Sequence, residues 1–432
     1  MTRRQRLKNL FVQNVLQPIV LRAFTTIERL RTGVSFNPLD KQFRTDPYPS
    51  YKRLRERDPF HRSRLIGGWI LARHADVEVV LKDNRFHADE TKLPLFEKRR
   101  ADMLRDGLLQ EDDPQTQTML RSDPPDHTRL RSLVSKAFTP RTVEALRPRI
   151  EGIVQERLDA LNGADEMDVI SELAYPLPVI VIAELLGVPV EDREQFKRWS
   201  DEAVRSLGGI SADDLRRSMA ATRALRIYFE KISEERRREP REDLLSALLA
   251  AEEAGDKLSL DEVYGMCILL LVAGNETTTN LIGNGLLALL RNPAQLEILR
   301  DDPSLLEGAV EELLRYDSPV QFTSRFVLED TELNGHKVEA YQQLIVLIGA
   351  ANHDPEVFAE PERLDVTRTD VRHLAFGHGI HYCLGAPLAR LEGQVALGAL
   401  IERYPNLRLA TDSPEWGDNI ILRGLKSLPV RW

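Results

Sequence analysis

Cys383 sits in the run Phe376-Gly377-His378-Gly379-Ile380-His381-Tyr382-Cys383-Leu384-Gly385, where glycines surround one thiol. Gly377, Gly379 and Gly385 can adopt φ > 0 and carry no side chain, so this loop lets a flat group approach its backbone closely. From Leu384 to Leu400 apolar residues recur at helical spacing, which places Cys383 at or just before a helix N-terminus. There the helix dipole and free N–H groups favour a thiolate, the form that ligates a metal. The competing reading is a buried cysteine in a glycine-rich turn. The only other cysteine, Cys267, is far away in sequence, and so few cysteines fit a reducing cytosol and a cytoplasmic protein.

Three further groups carry chemistry. The apolar helical pattern from Val263 to Leu290 is interrupted by Ala273-Gly274-Asn275-Glu276-Thr277-Thr278-Thr279-Asn280. Gly274 costs about 1 kcal/mol of helix propensity relative to alanine, and threonines can bond back to i−4 carbonyls and bend the axis, so a widened groove is expected. Upstream, Asp123-Pro124-Pro125-Asp126-His127-Thr128-Arg129-Leu130-Arg131 starts a helix at its prolines, with His127 and Arg131 four apart on one face. Two cationic donors on one face suit a dianionic partner. Glu312 and Arg315 share a helical face at i, i+3.

Helical periodicity dominates from Arg129 to Tyr316, and strand-like pieces occur at residues 69–72, at 326–347 and near the C-terminus. Long helices with minor sheets predict a mainly α, α+β architecture. Residues 89–123 are charged and aperiodic, and read as a long loop and candidate lid. No Pro/Gly/Ser-rich linker divides the 432 residues, so we expect one large domain over 45–432, preceded by an N-terminal extension over 1–44 that is an amphipathic helix. A net charge of −9 argues against a nucleic-acid partner. Near the N-terminus Leu10, Phe11, Val15, Ile19 and Phe24 are interrupted by polar residues, so neither a transmembrane anchor nor a secretory signal is expected. The preceding Arg3, Arg4, Arg6 and Lys8 suit peripheral contact with an anionic membrane surface.

Extended to Arg390, the cysteine run fits Phe-Gly-x-Gly-x-His-x-Cys-x-Gly-x-x-Leu-Ala-Arg, and it resembles the haem-binding signature of the cytochrome P-450 family of haem-thiolate monooxygenases. The resemblance extends from about residue 45 to Trp432. It implies a single domain of long helices around haem b, with small β-sheets and Cys383 as the axial thiolate ligand. It implies that His127, Arg131, Arg325 and His381 hold the haem propionates, and that Phe376, Ala273 and Gly274 border the cofactor. Glu276 and Thr277 match the acid–alcohol pair that relays protons in the oxygen-binding groove. Glu312, Arg315 and Arg363 match a buried structural ion-pair network. Leu270, Ala273, Val320, Phe322, Ile421 and Leu422 correspond to the substrate pocket, with Leu108, Leu109 and Leu120 as further candidates. Two positions depart from the family's pattern: Leu364 stands where phenylalanine is commoner, and Tyr341 where a turn glycine is usual.

The implied activity is insertion of one atom of O2 into a lipophilic small molecule, by hydroxylation or epoxidation. The length leaves no room for a flavin or nicotinamide domain, so electrons are expected from a separate ferredoxin or flavodoxin and its reductase. Arg129 and Lys136, seven apart on another helical face, are the expected docking surface for an acidic ferredoxin. The alternatives are a peroxide-driven peroxygenase, against which the intact Glu276–Thr277 pair argues, and a non-enzymatic haem sensor or carrier, which turnover would distinguish.

Overall fold

The computed structural model describes residues 17–110, 118–208, 211–253 and 258–432. The basic cluster of residues 3–8 lies outside the described residues. The helices that position the site are α1 (Gln17–Thr32), α2 (Tyr48–Arg57), α3 (Asp126–Ser135), α4 (Arg193–Gly208), α5 (Leu260–Arg291), α6 (Leu306–Tyr316) and α7 (Ala386–Arg403). The sheet strands are β1 (Phe60–Ser63), β2 (Gly68–Leu71), β3 (Phe86–His87), β4 (Phe322–Val327) and β5 (Gln343–Leu347).

The chain's long central apolar stretch becomes α5, a helix of 32 residues. A capping box starts it: the Ser259 side chain accepts from the Glu262 amide, and Glu262 accepts from the Ser259 amide. Asn292 closes it, and the next residue, Pro293, begins the following helix. Leu271, Leu281, Ile282 and Leu286 of α5 lie at the centre of the main core. Each such fully buried side chain contributes roughly 1.5–3 kcal/mol. Against α5 pack α4, α6, α7 and the helices Pro176–Leu185 and Ala212–Arg238.

The five-stranded sheet runs in the order β1, β2, β5, β4, β3. Its only parallel pair is β2 with β5, and the others are antiparallel. Register sets Arg325 of β4 opposite Leu344 of β5. A smaller sheet joins residues 166–168, 408–409 and 429–431. Phe36, Tyr51, Ile70, Phe322 and Leu347 form a separate core that ties α2 to the main sheet.

Helix α1 is held to the sheet by a buried acid. Glu28 accepts from the Ser63 hydroxyl at 3.1 Å and the Arg64 amide at 2.6 Å, and it lies 3.4 Å from His61 Nε2. His61 Nδ1 is 2.8 Å from Asp58. Burial opposes charge on His61, but hydrogen bonds and charge from Asp58 and Glu28 raise its pKa to about 9.

Two expectations need correction. Residues 89–123 are not one aperiodic loop, because they contain a 3-10 turn at Glu90–Lys92, a helix at Phe96–Arg105 and a second turn at Met119–Arg121. Charged residues disguised the helix: its only apolar side chains are Phe96, Ala101, Met103 and Leu104, and none is buried. Gly385 has φ −82°, so it serves as the N-cap of α7 rather than as a left-handed turn. Among the described residues no helix is long and apolar enough to cross a membrane.

Candidate active site

The cysteine loop is closed by backbone hydrogen bonds. Cys383 N–H donates to the Phe376 carbonyl at 2.9 Å, and Gly377 N–H to that of Leu374 at 2.8 Å. Gly377 and Gly379 have φ of 72° and 69°. A Cβ on Gly379 would lie 2.7 Å from the Leu81 carbonyl oxygen, so this position requires glycine on two grounds. The Arg390 guanidinium lies 4.6 Å over the Phe376 ring and pairs with Glu311 at 2.6 Å. Burial would raise the Glu311 carboxyl, but Arg390 and His373 hold it at about 2.

The Cys383 thiol is pushed up by burial, while the Gly385 and Ala386 amides and the Arg131 and Arg390 charges pull the other way. A cationic metal beside it would reverse that balance, because a coordinated thiol is deprotonated.

His127 and Arg131 come from α3, Arg325 from β4 and His381 from the cysteine loop. The His127 and His381 rings are 4.4 Å apart between centroids. Neither nitrogen of the buried His127 has a hydrogen-bond partner. Arg325 is buried and, among the described residues, donates to the Ser324 carbonyl at 2.8 Å and to no other acceptor. Burial lowers its pKa to about 10. Burial and then the charges of Arg325 and His127 depress His381 to about 3, and burial also lowers Arg131. Among the described residues no carboxylate pairs with any of the four. Asp123, the acid this group feels, is already taken by Lys92 and His87, each at 2.8 Å. Two arginines and two histidines with so few acceptors are costly to cover unless an anion joins them, and a group with two carboxylates fits this set.

On α5, Ala273 is exposed although its neighbours are largely covered, and a Cβ on Gly274 would meet nothing within 4 Å. That face therefore offers space for a flat group. Thr277 Oγ1 donates to the Ala273 carbonyl at 2.8 Å, and Thr279 Oγ1 is 3.1 Å from the Asn275 carbonyl. The helix nonetheless remains continuous through this segment. Burial, and then the charge of Asp201 on α4, raise Glu276 to about 7. Beside Thr278, a buried glutamate of α7, Glu392, accepts from that threonine and is raised to about 8 by burial. Sequence reasoning passed over Glu392, though an acid at an apolar position of the 384–400 pattern was the available signal.

Of the apolar candidates, the structure joins Val320, Ile421 and Leu422, whereas Leu270 is buried in the main core and the Phe322 ring packs on Phe36. Val320 and Leu422 face one another in an antiparallel bridge, and the Gln321 amide donates to the Ile421 carbonyl at 2.8 Å. Phe322 opens β4 beside them, and Leu270 lies one turn before Ala273 on α5.

Glu312 and Arg315 are fully buried and joined by two hydrogen bonds of 2.8 and 2.7 Å. The third member is not Arg363. The Arg363 guanidinium is 58% exposed and pairs with Glu360, whereas its carbonyl accepts from Arg315 at 3.1 Å. Arg368 reaches Glu312 instead, at 3.1 Å, because the chain turns at 361–365 so that the Arg363 side chain faces outward. Arg129 is also not an open docking charge: it binds Glu262 at 2.5 Å and Asp126 at 3.1 Å, and so ties α3 to α5. Tyr341 does adopt φ 65°, a glycine-like conformation in the turn before β5.

Comparison with known proteins agrees with this arrangement. Residues 70–415 match the family Cytochrome P450. The cytochrome P450 monooxygenase PikC of Streptomyces venezuelae is 44% identical over 424 residues, covering 94% of this chain and 97% of that protein. A crystal structure of P450BioI in complex with hexadec-9Z-enoic acid ligated acyl carrier protein superimposes with a TM-score of 0.83 at 40% identity, covering 91% of this chain and 100% of that one. The myxobacterial cytochrome P450 CYP267B1 in complex with myristic acid gives 0.84 at 42%, covering 91% and 98%. The chain belongs to the cytochrome P450 family and is an oxidoreductase of the monooxygenase class. The family implies a haem cofactor with a cysteine thiolate ligand.

Proposed function

We propose that this chain hydroxylates or epoxidises a lipophilic small molecule with O2, using haem b ligated by Cys383 and electrons from a separate ferredoxin or flavodoxin and its reductase. The observation that carries this reading is the cluster of donors His127, Arg131, Arg325 and His381, two of them buried, which has no carboxylate partner among the described residues and stands beside a cysteine loop open to a flat ligand. These four side chains would receive the two propionates. Bound there, haem supplies the electron storage and oxygen activation that no side chain offers.

The protein's own part is positioning and proton supply. With a pKa of about 7, Glu276 can both take up and release a proton near neutral pH, which suits a relay acid. Thr277 is its partner; its hydroxyl must turn away from the Ala273 carbonyl to donate elsewhere. Leu270, Ala273, Val320, Phe322, Ile421 and Leu422 present apolar surface to the substrate, where each buried methylene contributes roughly 0.8 kcal/mol. Relatives bound to myristic acid and to an acyl carrier protein carrying a hexadecenoyl chain support a fatty-acid-like or similarly apolar substrate. A peroxide-driven reaction would not need the Glu276–Thr277 pair.

The test is spectroscopic and then catalytic. The reduced carbon monoxide complex should show the long-wavelength Soret band of a thiolate ligand, lost in Cys383→His and kept in Cys267→Ser. In Thr277→Ala, reductant consumption should continue while peroxide rises and product falls. Retention of the band in Cys383→His would overturn the ligand assignment. Unchanged coupling in Thr277→Ala would move the relay elsewhere.

A further inference from the structure

Ile421 and Leu422 sit on a loop, residues 419–424, whose position is set from outside the pocket. On one side Arg423 anchors it. Its guanidinium donates to Asp317 at 2.7 Å and to the Arg44 and Thr45 carbonyls at 2.9 and 3.1 Å, and it lies 3.5 Å over the Trp416 ring. Its amide donates to the Pro319 carbonyl at 2.7 Å. The Asp317 carboxylate also accepts from the Tyr48 hydroxyl at 2.7 Å, so this anchor reaches back to α2.

On the other side the loop rests on α5. Asn284 Nδ2 donates to the Arg423 carbonyl at 2.9 Å. One turn earlier, a Cβ on Gly424 would overlap Asn280 Oδ1, so the loop backbone lies directly against this side chain. Both asparagines are buried. Residues 273, 277, 280 and 284 follow one another at steps of four, three and four, which puts them on a single helical face. The loop is therefore seated on the face that carries Ala273 and Thr277.

We propose that the contact between Asn280 and Gly424 is a specificity-determining stop: it sets how far Ile421 and Leu422 descend toward Ala273, and so how bulky an apolar substrate the site admits. This inference rests on the reading of those two residues as pocket lining. A methyl group at 424 cannot be absorbed by Arg423, which is pinned at its amide, carbonyl and guanidinium. The strain must shift the 421–422 segment or the Asn280 side chain. Asn280 and Gly424 would act through the apolar residues and touch no substrate, which makes them positioning residues.

The experiment measures ligand dissociation constants on the haem-loaded full chain by spin-state titration and by calorimetry, with dodecanoic acid as the slim probe and testosterone as the bulky one. Gly424→Ala should weaken testosterone by about tenfold, the scale of one overpacked methyl group, with little change for dodecanoic acid. The double variant Gly424→Ala/Asn280→Ala should restore testosterone affinity, because the second change removes the atom that the methyl meets. Asn280→Ala alone, which does not depend on the stability of a 424 variant, should shift the ratio of the two constants toward the bulky probe. Equal losses for both probes in Gly424→Ala, absence of rescue in the double variant, or an unchanged ratio in Asn280→Ala would each overturn the stop. Wild-type protein that binds neither probe would instead fail the lipophilic-substrate reading, and the stop with it.

Discussion

Arg315 and Arg325 are both buried, but their surroundings differ in kind. The five N–H groups of Arg315 meet five acceptors: two oxygens of Glu312 and the carbonyls of Asn352, Pro361 and Arg363. Among the described residues, Arg325 has the carbonyl of the preceding residue and no carboxylate. The histidines repeat the contrast. His61 is hydrogen-bonded to Asp58 on one nitrogen, faces Glu28 at 3.4 Å with the other and is raised to about 9, whereas His127, equally buried, is lowered and has neither nitrogen paired with an acid among the described residues. Acids complete the sites that hold the fold together. They are missing where a bound group must bring the negative charge, so an unsatisfied buried cation marks function more sharply than a satisfied one.

The comparison is broken most directly by removing one acid. Glu312→Ala leaves Arg315 and Arg368 buried without their counter-charge and should cost about 3–5 kcal/mol in denaturant unfolding. Arg131→Ala/Arg325→Ala should do the reverse: the haem-free protein should keep its stability within about 1 kcal/mol, since it loses only unpaired buried charge, while haem is lost readily from the loaded protein. Haem transfer to an apoprotein acceptor, set beside unfolding of the haem-free form, measures both. Equal destabilisation of the haem-free form by the two changes would erase the distinction.

A pH series sharpens it further. The folded pKa of His61, about 9, stands above its unfolded value near 6.5. Its stabilising contribution is therefore complete below pH 6.5 and is lost as pH rises through 9, by about 3 kcal/mol in all. Hydrogen exchange of α1 should accelerate over that window, and His61→Gln should remove the dependence. The smallest effect concerns the network's third arginine. Arg363→Ala should change stability by less than about 0.5 kcal/mol, as exposed pairs do, whereas Arg368→Ala should cost measurably more. Thermal unfolding of the two variants side by side decides the assignment.

Much of the site was legible in local sequence because its signals are local. The cysteine loop declares itself through glycine spacing, the α5 groove through polar residues inside an apolar helical pattern, and His127 with Arg131 through a four-residue step on one helix face. Each needs only the backbone's own periodicity to be read. The helix at 96–105 was missed because it buries no side chain and so writes no apolar stripe. Gly385 was misjudged because a glycine beside a helix start serves as readily as an N-cap as it does as a turn.

What only the tertiary structure decided are the pairings across distance. Three arginines, 363, 368 and 372, follow Glu312 in a turn-rich stretch, and the course of the chain over 354–375 selects the second. The asparagines on α5 look like ordinary polar interruptions until the 419–424 loop arrives from the far end of the chain to rest on them. That His127 and Arg325 lack acids cannot be read from composition in a chain with 68 carboxylates, because satisfaction of a buried charge depends on which groups close packing brings within hydrogen-bond reach. Residue types and spacing along the chain determined which chemistry was available. Long-range packing decided which charges were answered within the protein and which were left for a cofactor and a substrate.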